Sequence, residues 1–431
     1  MPDALLRGLA EALGRDAADH LLIEPALTQP YGTDWTRRWS ARPRAVVRPG
    51  DVAAVARVVA ACAEHATPIV SQGGNTGLVG GSVPGSPDTA VVVSLTRLTE
   101  KEPVRRQARQ VTVGAGVTVA DLARHARAVG LVYGVDLAAR DSATIGGTVA
   151  TNAGGLRVCR YGDTRAQVTG LRAVLADGSV VDRRHGPPKD GAGYDLTGLL
   201  VGSEGTLGLV TDVRVRLHEP DPPGVTTLVG CRSLAEAVDL LPASGVRLAE
   251  VMTADGLEVT CRVTGMAPPL PTSWPVYLLL QTTALPELPD RAEAVVDDRL
   301  VDYRERHPEA LATLGVVHKY DVSLPMERLD EVVEQIRATV APHRLFTYGH
   351  LAEGNLHLSV VGPGPDDADI DTDVLGVVAA AGGSIASEHG VGRAKAGLLS
   401  LARDDADIAA MRAVKRALDP AGLLNPGVVL V

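Results

Sequence analysis

The stretch Ser71-Gln-Gly-Gly-Asn-Thr-Gly-Leu-Val-Gly-Gly81 places five glycines in eleven residues, directly after the apolar run Pro68-Ile-Val70. Glycine reaches backbone conformations that other residues avoid and lets the main chain approach a ligand closely. Successive N–H groups in such a loop turn toward one concavity, which suits a phosphate or pyrophosphate. The hydroxyl of Thr76 and the amide of Asn75 add candidate donors. The spacing is not the G-x-G-x-x-G that opens a helix in dinucleotide-binding folds. Here Gly73, Gly74, Gly77, Gly80 and Gly81 run on to Pro84 and Pro87, and then into a strand-like run, Ala90-Val-Val-Val-Ser-Leu95. No helix follows, so a Rossmann site for NAD is set aside.

One glycine cluster is usually a surface loop, but this chain carries three. Gly134 to Gly155 is threaded with small hydroxyl and amide side chains, and its scarcity of large residues implies close backbone approach to something flat and polar. The third, Leu199 to Thr211, runs into an alternating strand with Val213, Val215 and Leu217. Between them strands and helices alternate. Arg44–Arg48 reads as a strand, and Asp51 caps a helix with Val52, Val55, Val58, Val59 and Cys62 at helical spacing. Gln110–Val113 reads as a second strand, with Thr118 capping a helix through Val129. Leu171 to Val181 is a hairpin turning at Asp177-Gly178.

Glu219-Pro-Asp-Pro-Pro-Gly224 is a linker. Beyond it the pattern is α+β, with helices expected near Leu234–Leu241, Leu288–Val301 and Glu327–Val340, a strand at Val276–Leu280, and a last helix from Asp405 to Leu418. The expected organisation is one domain over residues 1–220 with an N-terminal helical segment 1–37, a second over 221–400, and a terminal segment 401–431. A net charge of −10 argues against non-specific nucleic-acid binding. The four cysteines, Cys62, Cys159, Cys231 and Cys261, form no C-x-x-C pair, so a reducing cytoplasm is the expected compartment. The first residues lack the basic start of a signal peptide, and no apolar run approaches the roughly 20 residues of a membrane-spanning helix.

The chemistry concentrates in His350-Leu-Ala-Glu-Gly-Asn-Leu-His357 and Glu388-His389. Two histidines seven apart face opposite ways on one straight strand. A reversal centred on Glu353-Gly354 sets them opposite each other instead. With Glu388 as third ligand they make two imidazoles and a carboxylate, a set that suits Zn²⁺, Mn²⁺ or Fe²⁺ and leaves room for substrate. His389 is then free to act as general base, because an imidazole titrates near neutrality.

Together these stretches resemble the flavoproteins of the vanillyl-alcohol-oxidase / p-cresol-methylhydroxylase class. Within that class they are most similar to the D-2-hydroxyacid dehydrogenases, over roughly residues 38 to 430. The resemblance rests on Gln72–Gly81, Asp136–Gly155, Gly202–Thr211, Gly349–His357 and Ser387–Lys395. It implies an α+β fold of two domains, an FAD-binding domain of the p-cresol-methylhydroxylase type and a substrate (cap) domain. It further implies that Gln72, Gly73, Gly74, Asn75, Thr76 and Gly77 wrap the FAD pyrophosphate. Ser142, Thr144, Gly146, Gly147, Asn152 and Gly155 would line the flavin, Glu204, Gly205 and Val210 the adenosine side, and Asn425 the isoalloxazine. The loop 71–81 holds no histidine or cysteine, so FAD is expected bound without a covalent tether.

The family uses the positions of His350, His357 and Glu388 as metal ligands. It also places substrate-binding cations at Arg304 and Lys319. The implied reaction is oxidation of a small D-2-hydroxyacid, with hydride passing to the flavin and electrons leaving to an acceptor the sequence does not identify. Pro308, Ser359 and Ala352-Glu353 depart from the hydroxyglutarate-oxidising pattern of threonine, asparagine and Gly-Asp, which leaves hydroxyglutarate, D-malate and D-lactate all open as substrates. Oligomeric state is also left open, a homodimer included. Two other readings compete: a non-redox flavoenzyme of the alkyl-dihydroxyacetone-phosphate synthase type, and a metal-dependent hydrolase for which the glycine-rich stretches would have no purpose.

Overall fold

The computed structural model of the chain describes residues 3–186, 190–290, 292–364 and 367–431. It divides into two compact units, the first formed by Met1–Gly155, Tyr161–Pro220 and His389–Val431, the second by Leu156–Arg160 and Asp221–Glu388. The chain thus re-enters the first unit at His389, upstream of residue 401.

Two sheets build the first unit. In one, Ala45–Val47, Val91–Ser94 and Ile69–Gln72 lie parallel, with the short strand Leu21–Leu22 added antiparallel at one edge. Val91, Val92 and Val93 are fully buried, as expected of a parallel sheet covered on both faces. The helix Val52–Glu64 packs here through Val55, Val58, Val59 and Cys62, and Asp51 accepts a capping hydrogen bond from the Ala54 N–H. At the sheet's other edge the returning C-terminal segment pairs with Ile69, whose carbonyl accepts from the Asn425 N–H at 2.8 Å.

The second sheet is antiparallel, in the order Gln110–Gly114, Leu209–Arg216, Val168–Val174, Val180–Asp182. Leu209–Val215 is buried at every position rather than on alternate faces. The strand lies between two neighbours, and its polar members are satisfied internally, Asp212 by Arg172 at 2.7 Å and Arg214 by the Thr169 carbonyl at 2.9 Å.

The second glycine-rich stretch contains a helix, Ile145–Thr151. Ile145 and Val149, four apart and both fully buried, supply its apolar face. Thr144 caps its start, and it ends at Asn152 in the left-handed conformation with φ 53°. Gly146 is required by packing, since a Cβ there would fall 2.6 Å from the Ala115 Cβ.

The second unit is organised on a seven-stranded antiparallel sheet in the order Ala294–Val296, Val225–Cys231, Val276–Thr282, Val246–Thr253, Arg344–His350, Asn355–Val361, Val317–Ser323. Met252, Leu228, Leu279 and Phe346 lie in its core. The helix expected over Leu288–Val301 does not form. Apart from residue 291, which is outside the described residues, the segment holds the edge strand Ala294–Val296, a 3₁₀ turn at Asp298–Leu300, and a helix that starts only at Val301. Pro289 lacks the N–H a helix interior needs, and pairing with Thr227–Val229 offers the backbone an alternative.

Candidate active site

Four adjacent strands of the seven-stranded sheet carry the polar cluster of the second unit. The turn Leu351–Glu353, closed by Gly354 at φ 62°, reverses the chain. A Cβ at Gly354 would lie 2.4 Å from the Leu324 carbonyl oxygen, so the reversal needs glycine there. The hairpin pairs His350 with Asn355 and Tyr348 with His357. Residues two apart on a strand share a face, so His350 and His357 project to the same side, their rings 5.1 Å apart. The reversal expected from the sequence is present.

Both imidazoles are oriented in the same way. His350 Nδ1 bonds Glu250, its register partner on Val246–Thr253, and His357 Nδ1 bonds Asp321, its register partner on Val317–Ser323. Turning Nδ1 to a carboxylate fixes the tautomer and leaves Nε2 as the ring atom for a metal. Glu388 Oε1 lies 3.4 Å from His350 Nε2. One ligand atom from each of His350, His357 and Glu388 fits within 4.8 Å of the others. Two imidazoles and a carboxylate gathered this closely, with carboxylates behind both rings, match the chemistry of a divalent transition-metal site.

The electrostatics agree. Burial opposes charge on His350, but the neighbouring Glu250 overcomes this and raises its pKa to about 10. Glu250 is buried, which favours its neutral form, yet the His350 and Arg304 cations hold it down to about 2. Glu388 is likewise held at about 2 against its burial by the hydrogen bond and charge of His350 and the charge of His357. Without a metal, a proton on His350 supplies the positive charge these carboxylates demand; a divalent cation satisfies the same carboxylates.

Arg304 is 6% exposed, and its Nε donates to the second oxygen of Glu250 at 2.5 Å, while its guanidinium lies 4.8 Å from the Tyr348 ring centre. Lys319 is exposed at the edge strand and pairs in register with Ser359. Asn355 Oδ1 is buried with no hydrogen-bond partner among the described residues, Ser359 is buried beside Tyr348, and both positions share a face with His357. His389, half-buried and left-handed at φ 63°, is the first residue of the chain's return to the first unit.

In the first unit the three glycine-rich stretches pack on one another. A Cβ at Gly73 would fall 2.2 Å from Thr144 Oγ1, and one at Gly74 would fall 1.8 Å from the Ser142 carbonyl oxygen. Gly205 similarly abuts Ser71 Oγ at 2.4 Å. Asn425 ties the cluster together, donating Nδ2 to the carbonyls of Gly81 and Glu204, each at 2.8 Å. Several expected cofactor residues therefore hold loops. Gln72 donates to the carbonyls of Tyr31 and Ser82, Asn75 donates to that of Thr33, and Asn152 donates to Asp163. Gly155 sits against the Asp136 carbonyl, and Val210 is core. The Glu204 carboxylate accepts the N–H groups of Val391 and Gly392 at 2.7 and 2.8 Å.

Other groups remain open. Among the described residues no acceptor takes the backbone N–H of Gly74, Asn75, Thr76, Gly77 or Leu78, and a Cβ at Gly77 would meet nothing within 4 Å. A half-buried loop with successive free N–H groups, with the exposed Ser142 beside Gly74, fits a pyrophosphate.

Glu250 and Asp321 escaped the sequence reading. The available signal was a lone acid in an otherwise apolar strand, as in Leu248-Ala-Glu-Val-Met252, where a buried carboxylate demands a partner.

The chain matches a family described as FAD binding domain over residues 43–183, and one described as FAD linked oxidases, C-terminal domain, over residues 225–429. The mitochondrial D-2-hydroxyglutarate dehydrogenase of Bos taurus is 34% identical, the match covering 96% of this chain and 82% of that protein. The D-2-hydroxyglutarate dehydrogenase of Xanthomonas citri pv. viticola is also 34% identical, over 99% of this chain and 97% of that protein. In fold, p-cresol methylhydroxylase with substrate bound superposes with a TM-score of 0.78 at 17% identity, covering 98% of this chain and 95% of that one. Among the described residues no helix is long and apolar enough to cross a membrane.

Proposed function

The chain belongs to the FAD-linked D-2-hydroxyacid dehydrogenases, and from that membership we propose that it oxidises a small D-2-hydroxyacid to the 2-oxoacid at a metal held by His350, His357 and Glu388. The observation that carries the metal part is the pair of imidazoles with Nδ1 turned to Glu250 and Asp321 and Glu388 beside them. Zinc is the leading ion, since two histidines and one carboxylate with an open position are a common catalytic zinc set.

The chain's own residues divide the work. Bound FAD would supply the acceptor for the C2 hydride, held without a covalent tether at the free N–H groups of 74–78. A bound divalent metal would supply Lewis acidity toward the substrate's 2-hydroxyl. His389 takes the hydroxyl proton as general base. Lys319 attracts a substrate carboxylate, and Asn355 Oδ1, buried on the His357 face with no partner among the described residues, accepts from substrate or water. The hydroxyglutarate named in its relatives is the leading substrate, followed by D-malate and D-lactate. Pro308 offers no donor where a threonine would, and Ser359 reaches less far than asparagine.

The test is a panel of D- and L-2-hydroxyacids with an artificial dye acceptor, before and after chelation. D-specific reduction that chelation abolishes and metal restores is expected, with flavin absorbance unchanged. Preference for an L-enantiomer, or a colourless protein that FAD cannot reconstitute, overturns the assignment.

A further inference from the structure

A cavity of about 660 Å³ lies within the second unit, lined by residues of the segment 158–160, the loop 241–247 and the turn at Ala352-Glu353. That is the size of a small-molecule pocket. Val158, Leu241, Pro242 and Ala352 give it an apolar wall, and Ser244 and Thr283 add hydroxyls. None of His350, His357, Glu388, Arg304 and Lys319 is among its described lining residues, so it is separate from the site already described.

Arg247 is the group in this wall that lacks an explanation. It is 8% exposed, and its Nε and Nη2 are buried with no hydrogen-bond partner among the described residues. Asp221 Oδ2 stands 4.0 Å from Nε, while Asp221 Oδ1 accepts from Arg160 at 2.8 Å. Two guanidinium groups thus share one carboxylate. A buried cation without acceptors is strongly disfavoured. Nε and Nη2 form the edge of a guanidinium that pairs with both oxygens of a carboxylate, and Arg42 does this in the same chain, placing those two atoms on the two oxygens of Asp88. Glu353 Oε1 is also buried and unpartnered. Burial pushes the Glu353 pKa up to about 7, so it repels an anion less than an ordinary carboxylate does.

We propose that this cavity is a second small-molecule site, which takes an aliphatic carboxylate with its two oxygens on Arg247 and its chain along Val158, Leu241 and Pro242. The inference stands apart from the metal reading, since it uses none of the residues that would hold the metal.

The experiment measures the Kd of 4-methylpentanoate by saturation-transfer NMR on the FAD-containing protein, with 4-methylpentanol as the uncharged analogue and inorganic phosphate as competitor. Binding to wild type is expected, with Arg247→Met weaker by roughly 10–100-fold, the worth of hydrogen bonds to a charged group. The alcohol should bind more weakly than the acid. Lys319→Ala should bind the acid like wild type, because its cation belongs to the other site. Ala243→Phe, which fills the cavity from an exposed loop position and leaves Arg247 in place, should also abolish binding. Without ligand, Arg247→Met should melt no lower than wild type, since an apolar side chain of similar length replaces an uncompensated buried charge. Equal binding by wild type, Arg247→Met and Ala243→Phe overturns the proposal, and so does loss of binding in Lys319→Ala alone. An Arg247→Met protein that melts lower or fails to fold makes Arg247 a structural partner of Asp221 and overturns it as well. Phosphate that displaces the acid at concentrations below the acid's own Kd would give the site to a phosphate instead. The metal reading survives every one of these results, and chelation that leaves the activity intact would remove that reading without touching this one.

Discussion

Glu204 gives the sharpest test of how the first unit is held together. Family resemblance puts it beside the adenosine, whereas in the fold its two oxygens clasp the N–H groups of Val391 and Gly392 on the returning segment. Burial pushes its pKa from an ordinary 4.5 up to about 7, against the pull of those two N–H groups and of Lys395. A carboxyl that binds its proton more tightly when folded contributes stability that is fully present below about 4.5 and lost as pH climbs toward 7. At about 1.36 kcal/mol per pH unit, that interval is worth on the order of 3 kcal/mol.

Glu204→Gln removes the titration but keeps one acceptor oxygen. The stability advantage of wild type over Glu204→Gln should therefore shrink by about 3 kcal/mol between pH 4.5 and pH 8. At roughly 1–2 °C per kcal/mol for a chain of this length this is about 3–6 °C in the difference of melting temperatures. Thermal melts of both proteins across that range measure it, with FAD retention followed in parallel. A difference that stays constant with pH would refute the raised pKa, because the two N–H groups and Lys395 would then offset burial completely.

Gly74→Ala should cost both stability and flavin content, because its Cβ would fall 1.8 Å from the Ser142 carbonyl oxygen and force two stretches apart; flavin-to-protein absorbance of the purified variant checks this, and an unaltered ratio would remove the packing argument. His389→Ala should slow anaerobic flavin reduction by about 10²–10⁴-fold, the usual worth of a positioned base, and stopped-flow with an unchanged rate would exclude it. Glu388→Ala should release the proposed metal while flavin absorbance persists, since the loop 71–81 and the residues His350, His357 and Glu388 belong to separate units; joint loss of both would point to a structural role.

Much of the fold was legible because it follows local rules. The caps at Asp51 and Thr118, the hairpin through Asp177-Gly178 and the final helix Asp405–Leu418 are signalled within a few residues of where they form. The reversal at Glu353-Gly354 could be inferred from two histidines that otherwise point apart. What escaped depends on distant partners. Nothing near Glu250 reveals that His350, a hundred residues on, will sit beside it, and nothing near Arg304 reveals that its charge is spent on Glu250. In the loop 71–81 Gly73 makes room for Thr144 and Gly74 for Ser142, partners some seventy residues away, while at Gly77 the space is open. Around residue 289 the apolar spacing resembled a helix, and proline together with a free sheet edge decided otherwise.

The pairing Glu250↔His350 and Asp321↔His357 has a consequence for anyone who would redesign this protein. Because alternate residues of a strand face opposite sides, moving the Arg344–Val361 hairpin by a single position would carry both imidazoles away from their carboxylates at once. The hairpin therefore tolerates exchange of side chains at positions such as Ser359 but not a change of length. A library aimed at new hydroxyacids should substitute along these strands and leave insertions to other parts of the chain.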